Sequence, residues 1–172
     1  MMETIAATLR QEFADLSDPA QLTRVTLRLV VAVVLGAIVG FERELRGSSA
    51  GLRTHMLVAL GVALVIVASE QSGVTPDGTS RVLQGLLAGI GFLGAGAILK
   101  QGDGEQVKGL TTAASIWCTA AIAVAAGLGK EATAVLATFI TVVILSLLLR
   151  IERRMAREPA SAGQAPHDPG RR

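Results

Sequence analysis

Uncharged apolar residues recur along this chain in five long runs, and short polar or charged links separate them. The runs predict helices at about residues 22–41, 52–69, 82–99, 110–128 and 132–149, each close to the roughly 20 residues that a bilayer-spanning helix needs. In the first of them Arg24 and Arg28 shorten the apolar part to residues 29–41. Four apart on one face, these arginines either snorkel outward or pair with acids at the same membrane surface. The fold class expected is all-α, a polytopic helical membrane protein with five transmembrane helices.

Residues 1–21 form a separate N-terminal segment. Ile5, Leu9, Phe13 and Leu16 recur at helical spacing, which suits a short amphipathic helix on the membrane surface, a frayed tail being the alternative. Ser17 or Asp18 ahead of Pro19 supplies a helix start, because proline lacks only an N–H that the first turn leaves unpaired. No cleavable signal peptide is expected, since MMETIAATLRQEFAD has neither a basic start nor a long apolar middle. Residues 151–172 are expected to be a basic, disordered tail, in which His167 is incidental.

Five crossings put the termini on opposite sides. Arg43, Arg46, Arg53, Lys100, Lys108, Arg150, Arg153, Arg154 and Arg157 gather on one side, against Arg10, Arg24, Arg28, Arg81 and Lys130 on the other. The positive-inside bias therefore puts the N-terminus outside and the C-terminus in the cytoplasm. Net charge is only +2, with no aromatic-interleaved basic face for nucleic acid. The single cysteine, Cys118, makes no internal disulfide and is expected to be a buried thiol.

Small residues mark the third and fourth helices. Gly85, Gly89 and Gly96 share one side of the third with Phe92, while Gly91 and Gly94 fall elsewhere, so smooth strips on more than one side suggest a central helix between neighbours. A second reading lets Gly91, Gly94 and Gly96 bend the helix near a cavity. Thr111, Thr112, Ser115 and Thr119 make a polar stripe on the fourth helix that should face protein, with Trp117 pointing away. Gly36 and Gly40 make a small-xxx-small strip on the first.

Charge concentrates in GFERELRGSSAGLRTH. There Glu42 and Arg46 form an i,i+4 pair, and Arg53, Thr54 and His55 stand at the start of the second helix. Such a network either grips a partner or admits a cation to Glu42 and Glu44; ordinary interfacial anchoring is the simpler account. Asp103 and Glu105 invite a magnesium reading, but Lys100 and Lys108 offset their charge, and no metal site or cofactor is expected. There is no phosphate-binding loop, and no serine or cysteine nucleophile with a plausible base, so an enzyme is not expected.

The stretches GIGFLGAGAILKQGDGEQVKGLTTAASIW and GFERELRGSSAGLRTH closely resemble the two signatures of the MgtC/SapB family of bacterial membrane proteins, over roughly residues 24–150. The match extends beyond glycines to FERE, AGLRT, GLTTAA and IW. The resemblance implies functional roles for Glu42, Arg43, Glu44, Gly51, Arg53 and Thr54. It implies structural or partner-binding roles for Gly89, Gly91, Phe92, Gly94, Gly96, Gly109, Leu110, Thr111 and Thr112. It also implies a protein of the bacterial inner membrane linked to magnesium limitation, acid stress and virulence, acting on another membrane complex such as the F-type ATP synthase. Many longer members carry a C-terminal soluble domain of ACT type; with about 20 residues after its fifth helix, this chain is expected to be a short form without it. The alternative function is a transporter or channel for Mg²⁺ or another cation, against which stands the lack of ionisable residues in the middles of the spans. A purely structural scaffold is a third reading. Expected partners are the bilayer, another integral membrane protein and, through the glycine faces, a second copy of the chain.

Overall fold

The computed structural model describes residues 1–14, 17–100 and 107–155. Among these the chain is helical throughout apart from one short hairpin: α1 Met2–Glu12, α2 Pro19–Leu45, α3 Leu52–Gln71, α4 Pro76–Ala97, β1 Leu99–Lys100, β2 Val107–Lys108, α5 Leu110–Gly127 and α6 Glu131–Met155. The all-α class is as expected.

Capping explains where the helices begin better than hydropathy does. Asp18 Oδ1 accepts the Ala20 N–H at 3.1 Å with Pro19 in the first turn, so α2 starts before its apolar run. Thr75 Oγ1 likewise accepts the Gly78 N–H at 3.3 Å ahead of α4. That cap turns the polar residues 76–81, expected to be a link, into the first turns of the helix. At its other end α4 stops at Ala97, and β1 and β2 pair antiparallel with Leu99 opposite Lys108. Gly109 then turns the chain into α5 at φ 96°, with no room for a Cβ beside the Ala97 carbonyl. The last helix continues to Met155, past the expected end at 149 and into the expected tail. The apolar run ends there, but Arg, Glu and Met remain good helix formers.

Three helices, Pro19–Leu45, Leu52–Gln71 and Leu110–Gly127, are long and apolar enough to cross a membrane, and Glu131–Leu147 is a shorter apolar stretch. α4 is long enough at 22 residues, but its glycines and polar first turns lower its hydropathy.

The core lies where α2, α3 and α5 meet, built of small and β-branched residues such as Ala32, Val39, Ala59, Ala63, Ile66 and Ala123. α2 and α3 touch almost backbone to backbone. A Cβ on Gly36 would stand 2.7 Å from Ala59 Cβ, and one on Gly40 would stand 2.8 Å from Leu52 Cα. The small-xxx-small strip is thus a close helix contact. At the far end of the same pair Arg28 forms an ion pair with Glu70 and donates to the Gly127 carbonyl at 3.0 Å, tying α2 to α3 and α5.

The central helix is α5 rather than α4, a correction to the expected sandwich. α5 packs against α2, α3, α4 and α6 and buries nine residues. α4 buries only Ile90, and no atom lies within 4 Å of a Cβ built on Gly85, Gly89, Gly91 or Gly96. Among the described residues those glycines border open space, whereas Gly94 meets Ala113 at 3.7 Å. α1 buries nothing, and its apolar Ile5, Leu9 and Phe13 are exposed; Leu16 lies outside the described residues.

Candidate functional site

The two motif stretches converge at one end of the bundle. α2 continues past its apolar run through Phe41, Glu42, Arg43, Glu44 and Leu45, and Gly47, at φ 68°, reverses the chain toward α3. This places Glu44, Ser48 and Glu42 against α3, α5 and α6 respectively.

Glu42 and Arg43 are 8% and 9% exposed, unusual for charged side chains. Arg46 Nε donates to Glu42 Oε1 at 3.1 Å, the expected i,i+4 pair, and the Ser146 hydroxyl from α6 approaches the same oxygen at 3.5 Å. Arg43 NH1 lies 3.8 Å from Glu42 Oε2, close enough for charge attraction and too far for a hydrogen bond. Glu42 Oε2 and Arg43 Nε are buried with no hydrogen-bond partner among the described residues. Removing either charge would strand the other in a poorly solvated place.

Glu44 is exposed and serves α3 directly. Its Oε2 accepts the Leu52 N–H at 2.7 Å, satisfying a donor that the first turn leaves free. Gly51 permits this, because a Cβ there would stand 2.5 Å from the same carboxylate oxygen.

One turn deeper, His55 is fully buried against Gly40. Its Nδ1 lies 2.9 Å from the Gly51 carbonyl, which only accepts, so Nδ1 carries the proton. Nε2 lies 3.2 Å from the Ser115 hydroxyl, which also lies 2.8 Å from the Thr112 carbonyl. In the neutral ring one hydroxyl proton therefore faces two acceptors. Ser48 closes the cluster, its hydroxyl 3.0 Å from that of Thr112.

Thr112, Ser115 and Thr119 face protein as expected, Trp117 faces out, and Thr111 is exposed, bordering a cleft of about 370 Å³ with Cys118 and Thr141. Cys118 is half-buried rather than buried. A serine does meet a base here, contrary to expectation: His55 and Ser115 are both buried, and Ser115 borders the same cleft. Asp103 and Glu105 lie outside the described residues.

Arg53 and Thr54 point away from this buried cluster. They line a cleft of about 610 Å³ shared with Phe92 and Gly96 of the second stretch. Ser48 and Ser146 are contributors that motif reading passed over, and His55 was placed at the start of the helix without its buried contacts to Gly51 and Ser115. The visible signal was for His55 alone, a histidine one turn into an apolar helix, four residues after a glycine.

A family model described as the MgtC family matches residues 29–154, which includes every residue of both stretches. Among similar proteins, Protein MgtC of Salmonella typhimurium (strain LT2) is 43% identical over 136 residues, covering 79% of this chain and 57% of that protein. Protein MgtC of Brucella abortus (strain 2308) is 46% identical over 121 residues, covering 70% and 49%. Protein SrpB of Synechococcus elongatus is 40% identical over 139 residues, covering 74% and 76%. The chain thus spans about half the length of the MgtC relatives it matches. No solved structure matches it.

Proposed function

Since the chain belongs to the MgtC family, we propose that it is a multi-pass inner-membrane protein that regulates another integral membrane complex, in the setting of magnesium limitation, acid stress or virulence. In this reading α2 to α6 all cross the bilayer, with the N-terminus outside and both motif stretches at the cytoplasmic surface. α1 then lies on the outer surface by its apolar stripe. The protein acts by binding and performs no catalysis; the F-type ATP synthase is one complex of the kind its family resemblance implies.

One observation carries the proposal: α4 presents Gly85, Gly89 and Gly91 to open space. Helices in lipid associate through close approach of small residues, so a smooth unpartnered helix suits a transmembrane helix of another protein. The His55–Ser115 and Glu42–Ser146 contacts would then tie α3 to α5 and α2 to α6 in the bundle on which α4 packs.

The test is crosslinked capture from membranes at low magnesium with the wild type and with Gly85→Leu and Gly89→Leu. Reproducible recovery of a defined membrane complex, lost in the variants, supports regulation. Cation flux through proteoliposomes containing only this protein, abolished by Thr112→Val or Glu42→Gln, would establish transport instead.

A further inference from the structure

The cleft shared by the two motif stretches is divided by chemistry. Its polar lining, Ser49, Arg53 and Thr54, sits at one end, in the α2–α3 link and the first turn of α3. Leu57 follows one turn deeper, about 6 Å along the axis, and Phe92, Leu93 and Ile116 continue a dry wall. At about 610 Å³ the space falls within the range of ligand sites.

Its charge is also one-sided. Arg53 is exposed and makes no ion pair among the described residues. Among the described residues no carboxylate lines the cleft, and Glu44 is committed to the Leu52 N–H. The start of α3 adds the positive end of a helix dipole to the guanidinium. Opposite this cationic rim the wall is uncovered, with Phe92 81% exposed and Leu57 68% exposed, and in the membrane reading proposed above it borders lipid. A guanidinium and two hydroxyls above an apolar trough complement an amphiphile with an anionic head, and nothing in the lining answers the ammonium of a zwitterionic one.

We propose that the cleft holds one acidic phospholipid, its phosphate on Arg53 and Thr54 and its first acyl carbons against Leu57 and Phe92. This is a lipid site, independent of which protein α4 meets. It gives exposed Arg53 and Phe92, which belong to different motif stretches, one shared ligand.

The test is native mass spectrometry of the full chain released from micelles containing phosphatidylglycerol or phosphatidylcholine. One phosphatidylglycerol is retained by the wild type. Arg53→Gln lowers that retention about tenfold, the loss of a charge-assisted contact, while Arg53→Lys and the distant Arg81→Gln retain it. Leu57→Trp, which fills the trough and leaves the charge, also loses the lipid, and circular dichroism checks that each variant stays helical. Soluble glycerophosphate does not compete, because it lacks the acyl chain. Equal retention of both lipids by the wild type overturns the proposal. So does unchanged retention by folded Arg53→Gln or Leu57→Trp, or full competition by glycerophosphate.

Discussion

The carboxylate of Glu44, near the end of one membrane helix, caps the next by accepting the N–H of Leu52 at 2.7 Å. The six-residue link 46–51 is thereby closed by one charge-assisted hydrogen bond, and the mouth of α3 is held where Arg53 and Thr54 reach the neighbouring cleft. Glu44→Ala should lower stability by about 1 kcal/mol, the usual cost of a lost cap. Gly51→Ala should cost about the same without clashing with backbone, since its Cβ meets the movable end of Glu44. The double variant should be less harmful than the sum, in thermal unfolding in detergent. Additive losses would mean that the two residues act separately.

Glycines in this chain should divide into two classes on substitution. Gly40→Ala drives a methyl into Leu52 Cα and the Gly51 carbonyl, so α2 and α3 must separate, at about 1–3 kcal/mol. Gly85→Ala and Gly89→Ala meet nothing within 4 Å and should stay within about 0.5 kcal/mol of wild type. Melting temperatures of the isolated protein would separate the classes. A large loss from Gly89→Ala would place an unseen neighbour against α4.

The buried ionic cluster should be sensitive to loss of one charge. Glu42→Gln leaves Arg43 in a poorly solvated site and weakens the Arg46 contact, for an expected loss of about 3–5 kcal/mol. Arg46→Gln should cost less, near 1 kcal/mol, because its guanidinium is partly solvated. Denaturation of the two variants in the same micelle gives the order; Arg46→Gln proving the worse would contradict it.

His55 and Ser115 should couple. His55→Phe keeps the volume but removes a donor to Gly51 and a partner for Ser115, for about 1–3 kcal/mol. With Ser115→Ala already in place the added cost should shrink, because the serine hydroxyl no longer needs the ring. A double-mutant cycle read by unfolding measures this. A coupling energy of zero would show that the two groups are merely adjacent.

Much of this protein is legible from local pattern. Apolar runs predict α2 to α6, the four-residue step predicts Glu42–Arg46 and the Gly36–Gly40 approach, and periodicity turns Thr112, Ser115 and Thr119 toward protein. All of these depend on neighbours one helical turn away, whose relative directions the backbone dictates. The start at Pro19 was legible from Asp18 and the proline, but the start at Pro76 was less visible, because the Thr75 cap decides it and the hydropathy of the following turn does not.

Tertiary packing decided the rest. Arg28 finds Glu70 across 42 residues, Ser115 finds His55 across 60, and Thr112 finds Ser48 across 64. Such pairs form only once helices are rotated and stacked, and no local spacing encodes that rotation. The placement of α5 at the centre and α4 at the edge follows the same logic. A glycine reads alike whether a neighbour fills the space beside it, as at Gly36, or nothing does, as at Gly89. An absent side chain permits contact without supplying one; the partner's surface decides.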